Sequence, residues 1–349
     1  MTYKKIFTAI ASPNIAFVKY WGKRHPENLN LPNNTSVSMT LDSNVLKTKT
    51  SVALYNESIE DIVYINEVKQ DRNSSEKSDF MFKVIKEMKN MSGIKENVLV
   101  VSKNYFPTGS GLASSASGAA ALVYALNSAF STGLSQKQMS IIARKISGSA
   151  CRSVFGGFVA WNKGNYDDGS DSYAEQIATK SDFDLIDIIC LVDESQKKVS
   201  SSAGHLLTTK TSALYAARPS SAEKNAISAI NAIKNRDFEV LSNIIMRDSN
   251  SMHVTMLDTF PPIGYMTDKS WEVVEAVSEL NGNGTNIAAY TFDAGPNTHV
   301  ITQRENLKEV KARLLELFAP EKIIEAECGE GPYISEDKNP LIDGDLKPA

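Results

Sequence analysis

Residues 106–122 read "FPTGSGLASSASGAAAL", a run of Gly, Ser and Ala that passes without a break into an apolar, helical pattern. One reading is a flexible turn, because Gly and Ser accept backbone angles that other residues avoid. The other is an anion site. Gly109, Gly111 and the hydroxyls of Ser114 and Ser115 would let main-chain N–H groups and side-chain donors converge at a helix start, where the macrodipole favours negative charge. A single Gly-rich stretch does not choose between the two, so the segments around it decide.

Immediately before it, "ENVLVVSKNYF" (96–106) alternates as a strand, as do "KIFTAIA" (5–11) and "NVLKTKTSVALY" (44–55). "SDFMFKVIKEMKNMS" (78–92) carries apolar residues at helical spacing. "SSASGAAALVYALNSAF" (114–130) is apolar almost all round, which predicts a buried helix. Further on, "DLIDIICLVD" (184–193) reads as a buried strand, 223–253 as helical, and "NIAAYTFDAGPNTHVIT" (286–302) as strand, tight turn and strand. The order is mixed, not a regular strand–helix alternation, and this predicts an α+β fold. The polar stretch "GNYDDGSDSYAEQ" (164–176) reads as a surface loop. Two lobes are expected, 1–185 and 186–349, with the active site between them.

The 349 residues suffice for one large or two ordinary domains. A formal net charge of -4 argues against a nucleic-acid partner, which calls for a basic excess. Cys151, Cys190 and Cys328 are far apart and show no paired metal-ligand spacing, so a reduced, cytoplasmic protein is expected. No run of 18 apolar residues predicts a membrane span. The histidines, His25, His205, His253 and His299, are scattered, and no transition-metal site is expected.

Four stretches place charged or small polar groups where a core would prefer none. "SPNIAFVKYWGKR" (12–24) brackets Tyr20 and Trp21 with Lys19, Lys23 and Arg24, as either a solvated strand end or an anion site. "ISGSACRSVFGGFVAW" (146–161) sets Ser147, Ser149 and Arg152 in apolar surroundings. An Arg is costly to bury there unless it meets an anion, and its planar fork suits carboxylate or phosphate; an internal ion pair is the alternative. "KKVSSSAGHLLTT" (197–209) adds Ser200, Ser201 and Ser202. In "YTFDAGPNTHV" (290–300), Asp293 either caps a turn or aims a carboxylate into a cleft from a strand end. Together these stretches supply cations, hydroxyls and one well-placed carboxylate, which describes a site for a polyanion. A hard Mg2+ held through nucleotide phosphates would leave little trace in such a sequence.

Eight segments in order, "NIAFVKYWGKR", "LPNNTSVSMTLD", "FPTGSGLASSASG", "SGSACRSVFGGF", "KKVSSSAG", "MRDSNSMHVTMLDTFPP", "YTFDAGPN" and the tail "CGEGPYISEDKNPLIDGDLKPA", resemble the diphosphomevalonate decarboxylase family of the GHMP kinase superfamily. The resemblance implies a two-lobed α+β fold and a step of isoprenoid synthesis. In that step a phosphorylated mevalonate is phosphorylated at its C3 hydroxyl and loses phosphate and CO2. It also implies that Asp293 and Lys19 act at the C3 oxygen and that Arg152, with Asn14 close by, holds the carboxylate. Tyr20, Lys23, Ser147, Ser149 and Ser200 to Ser202 then surround the substrate phosphates, and the 109–115 segment, with Gly109, Ser110, Gly111, Ser114 and Ser115, cradles those of ATP with its Mg2+. Family members are often homodimers.

Two departures stand out. Gly109 and Ser110 replace two alanines of the family's Pro-Thr-Ala-Ala-Gly, and Asn66-Glu67 stands where many relatives carry Asn-Gly. The resemblance still leads to an ATP-dependent decarboxylase of the 5-diphosphate, because the phosphate loop and the Asp293/Lys19 pair are both present. Two alternatives follow: a mevalonate 3,5-bisphosphate decarboxylase, which needs no ATP, and an ATP-dependent 5-monophosphate enzyme giving isopentenyl phosphate. A 3-kinase, which lacks decarboxylation, and a non-catalytic phosphate-ligand sensor fit less well, because Asp293 and its neighbours are retained.

Overall fold

The computed structural model describes residues 5–25, 29–55, 60–72, 74–106, 114–192, 199–336, 341–343 and 348. The chain runs through β1 (Ile6–Ala11), β2 (Asn14–Val18), β3 (Ser36–Thr40), β4 (Lys47–Tyr55), β5 (Ile62–Ile65) and β6 (Val68–Lys69) before the first helix, α1 (Glu76–Ser92). Then come β7 (Asn97–Tyr105), α2 (Ser114–Ala129), α3 (Gln136–Ile146), β8 (Phe158–Trp161), β9 (Ala174–Ala178) and β10 (Leu185–Cys190). The remainder holds α4 (Ser201–Thr211), α5 (Arg218–Asn235), α6 (Phe238–Leu257), α7 (Asp268–Leu280), β11 (Ala288–Phe292), β12 (Thr298–Gln303), α8 (Leu307–Leu315), β13 (Ile323–Glu327) and β14 (Tyr333–Ile334). The architecture is α+β, as expected.

Three sheets organise it, in the orders β14-β1-β4-β7-β5-β6, β2-β3-β8-β9 and β11-β12-β10-β13. The only parallel pair in these registers is β5 with β7; the rest are antiparallel. α2 lies on β1 and β4 because Ala116, Ala119, Ala120 and Ala121 keep its buried face thin enough for close approach. β10 is buried on both faces. Ile186, Ile188 and Cys190 pack towards α7 and α8, whereas Leu185 and Ile189 face the middle of the molecule.

That middle core joins the two halves of the sequence. Ile15, Phe17, Val37 and Met39 from β2 and β3 pack with Ala226, Leu241 and Ile245 from α5 and α6. Burial of this shared apolar surface holds the ends of β2 and β11 near one another, and the site lies at those ends.

Two expectations need correction. The 223–253 stretch is not one helix: Arg236 turns left-handed at φ 57° and Asp237 caps α6 through its side chain on Val240 N, so α5 stops at Asn235. The 164–176 loop gives way to β9 at Ala174, a strand hidden because its outward Glu175 and Gln176 are polar. The Asn66-Glu67 pair forms the two-residue turn of the β5–β6 hairpin, with φ of 47° and 69°.

Candidate active site

Where β2 leaves its sheet, Lys19 turns its side chain inward, and Asp293 follows directly on the last residue of β11. Lys19 Nζ donates to Asp293 Oδ1 at 2.8 Å; Lys19 is 2% exposed, whereas 30% of the Asp293 side chain is open. Burial works against the charge on both. It pushes the Asp293 carboxyl up, but Lys19 and His299 outweigh it and hold the group down at about 2. Burial lowers Lys19 below the ordinary lysine value, opposed by Asp293 and Asp248.

Arg152 sits in the 3-10 turn Gly148–Val154 and is 3% exposed. Its Nε donates to Asn14 Oδ1 at 3.0 Å and its Nη1 to Ser36 Oγ at 2.6 Å. Among the described residues it forms no ion pair, so a buried guanidinium is held by neutral groups and faces the cavity. Asn14 is fixed in turn, donating to Ser153 Oγ at 2.7 Å.

Lys19, Arg152 and Asp293 line a cavity of about 710 Å3, whereas Asn14 stands behind Arg152 and is not part of its wall. Lys19, Lys23, Lys77 and Arg152 face two carboxylates, Glu76 and Asp293, giving the excess of positive charge that a polyanion requires. Lys23 Nζ donates to Ser202 Oγ at 3.0 Å. Ser200 caps α4 through Ala203 N, so Ser200, Ser201 and Ser202 bring a helix N-terminus to the wall. Ser115, Ser147 and Ser149 form a chain of hydroxyls with contacts of 3.3 and 3.5 Å. Tyr20 lies against Trp161 and His205, and its buried hydroxyl has no partner among the described residues. A Cβ on Gly148 would stand 2.6 Å from the Tyr20 ring, which explains the glycine between Ser147 and Ser149.

Ser114 and Ser115 open α2 and line both this cavity and a neighbouring one of about 260 Å3, walled by Val63, Ser102, Asn104, Gly118 and Leu122. Gly109, Ser110 and Gly111 lie outside the described residues.

Sequence reasoning missed several participants. Glu76, the first residue of α1, accepts from Ser202 Oγ at 2.8 Å; nothing in its local pattern sets it apart from any acid in a first helical turn. His205 lines the cavity, accepts from Gly22 N at 2.8 Å and is pushed down to about 3 by burial and the charge of Lys23, so its ring is neutral. The histidines are indeed scattered in sequence, but His205 is drawn in by its stacking on Tyr20 and Trp21.

A family model described as the diphosphomevalonate decarboxylase-like N-terminal domain matches residues 11–174, and one described as the mevalonate 5-diphosphate decarboxylase C-terminal domain matches 187–341. The diphosphomevalonate decarboxylase of Ganoderma lucidum is 40% identical over 327 residues, 89% of this chain and 82% of its own. The chain belongs to the diphosphomevalonate decarboxylase family. Among solved structures, the mevalonate diphosphate decarboxylase of Trypanosoma brucei superposes with a TM-score of 0.89 at 32% identity, covering 97% of this chain and all of its own. A second relative, described as MDDEF in complex with MVAPP, AMPPCP and magnesium, gives 0.86 at 36% identity over 95% of this chain and 99% of that one. This diphosphomevalonate decarboxylase family member thus has the GHMP-kinase fold that its relatives share. Among the described residues no helix is long and apolar enough to cross a membrane.

Proposed function

We propose that the chain is an ATP-dependent decarboxylase of mevalonate 5-diphosphate, yielding isopentenyl diphosphate, CO2, ADP and phosphate. One observation carries the reading: a Lys19–Asp293 pair and an Arg152 that has no ion-pair partner among the described residues share one cationic cavity.

Asp293 orients the C3 hydroxyl. Held at about 2, its carboxylate is ionised but weakly basic, so it accepts a hydrogen bond first and takes the proton as the new O–P bond forms. Arg152 presents its fork to the C1 carboxylate and holds the C1–C2 bond in line with the departing group. The C3–O bond then breaks, phosphate leaving with its electron pair, while the C1–C2 pair becomes the C2–C3 double bond and CO2 departs. Lys19 and the nearby N–H groups stabilise the leaving anion. No electron sink is needed, because the leaving group sits β to the carboxylate.

Lys23, Tyr20, Ser147, Ser149 and the α4 N-terminus with Ser200, Ser201 and Ser202 would bind the 5-diphosphate. Ser114 and Ser115 at the start of α2 fit nucleotide phosphates, and the adjoining smaller cavity fits a base. The donor set suits a phosphate-held Mg2+: hydroxyls and two carboxylates, with no cluster of three His, Cys, Asp or Glu among the described residues. Such an ion would neutralise charge on the transferring phosphoryl group. A relative bound to MVAPP, AMPPCP and magnesium supports this use of ATP and Mg2+. A two-lobe division is supported by family matches that stop at 174 and resume at 187, with the boundary better set before β10 than at 185/186, which falls inside that strand. A cytoplasmic location is supported by three free, buried cysteines.

The test offers the chain mevalonate 5-phosphate, 5-diphosphate and 3,5-bisphosphate, each with and without Mg-ATP, and measures CO2 and ADP. CO2 and ADP in equal amounts from the 5-diphosphate only with Mg-ATP is the expected result. CO2 from the 3,5-bisphosphate without ATP would overturn it.

A further inference from the structure

The segment "MRDSNSMH" marks the family resemblance but lies on α6 and is absent from the mechanism above, apart from Met252 in the cavity wall. Three consecutive side chains of this helix reach two strands, one the end of β2 and two β11. Asp248 Oδ2 accepts from the main-chain N–H of Lys19 at 2.7 Å, and Ser249 Oγ accepts from the main-chain N–H of Phe292, the residue before Asp293, at 3.0 Å. Asn250 Nδ2 donates to the Tyr290 hydroxyl at 3.0 Å on the same strand, and one turn on, the His253 ring meets Phe292 edge-on at 5.9 Å.

Both acceptors are fully buried, and Asp248 is itself locked. Asn225 Nδ2 donates to its Oδ1 at 3.1 Å, and Arg218 Nη2 donates to its Oδ2 at 3.1 Å. The same Arg218 nitrogen reaches Lys19 O at 3.3 Å, where Asn34 also donates at 3.1 Å. Both main-chain polar groups of Lys19 are therefore held from outside its own sheet. A buried ion pair such as Arg218–Asp248 is weak evidence for stability, since apolar residues can often replace one without loss. Its bonds to Lys19 point to a positional role instead.

Resting on the decarboxylase reading, we propose that Asp248 and Ser249 are positioning residues that set the separation of Lys19 and Asp293 from one turn of α6. They touch no reacting atom. They act as a rigid spacer between two strand ends that belong to different sheets and lack a hydrogen-bonded register with each other. A misplacement of about 1 Å at such a pair can cost on the order of 100-fold in rate.

The experiment uses the full chain with mevalonate 5-diphosphate and Mg-ATP, measuring kcat and KM from CO2 release alongside thermal unfolding. Ser249→Ala lowers kcat by about 10- to 100-fold with KM nearly unchanged, because the substrate-binding groups stay in place. Ser249→Thr, which keeps the hydroxyl, recovers most of the rate. Asp248→Asn lowers kcat in the same way. Should it fail to fold, because Arg218 is left as an uncompensated buried charge, the Ser249 variants decide alone. Wild-type kcat in folded Ser249→Ala, or a loss that Ser249→Thr does not restore, would overturn the inference. A wild-type chain that releases no CO2 from any of the three substrates fails the functional reading itself, which is a separate result.

Discussion

Lys19 Nζ and Asp293 Oδ1 are 2.8 Å apart across 274 residues of sequence. Each keeps the other charged in a place where burial alone would favour the neutral forms.

Asp293→Asn keeps the side-chain shape but removes the charge that Lys19 meets. Release of CO2 should fall by about 100- to 1,000-fold with the fold retained. Circular dichroism and a CO2 assay on the same preparation check this, and near-normal turnover would sink the catalytic assignment.

Stability should carry a signature of the same carboxylate. Its folded value, about 2, lies below the unfolded value of about 4, so the native state binds fewer protons between the two. The stabilisation is complete above the unfolded value and disappears as pH falls from about 4 through 2. Acid-unfolding curves of the wild type and Asp293→Asn should therefore converge in that window; parallel curves contradict the prediction.

Lys19 behaves oppositely, since burial depresses its value and the charged form is carried at a cost. The basic limb of kcat/KM, which reports the free enzyme, should accordingly fall below the ordinary lysine range near 10.5. A pH–rate profile at substrate well below KM reads it.

Arg152 is buried with no ion-pair partner among the described residues, and Asp293, whose carboxyl it helps to hold down, keeps Lys19 as its direct partner when Arg152 is removed. Arg152→Met should keep the thermal midpoint within a few degrees while CO2 release is lost by at least about 100-fold. Arg152→Lys keeps charge but loses the planar fork, and should raise KM and lower kcat together. A large fall in midpoint for Arg152→Met would mark the residue as structural.

Glu67 occupies φ 69° in the β5–β6 turn, a conformation that suits glycine, and its contact with Lys103 is an exposed ion pair. Glu67→Gly should raise the thermal midpoint by about 1–2 °C and leave kcat alone. Differential scanning calorimetry checks the sign.

Much of this protein was written along the chain. Strands β1, β4, β7 and β10 and helices α1 and α2 follow from apolar spacing, because side-chain period depends only on local geometry. Lys19, Arg152 and Asp293 could be singled out because each is a charge in apolar surroundings, an anomaly visible without coordinates. The break at Arg236 and Asp237 was harder, since Asp is common inside and at the start of helices, and only its cap on Val240 N distinguishes the two.

Tertiary structure alone decided what those residues do to one another. Nothing local to Glu76 foretells Ser202, nothing around Ser249 foretells Phe292, and the role of Asp248 depends on Lys19 lying under α6. The physical reason is that local pattern reports which face of an element is buried, whereas a site is made by the packing of faces against each other. Here a core shared by both halves of the chain brings two strand ends together, and only that packing turns isolated charges into an ion pair on the wall of one cavity.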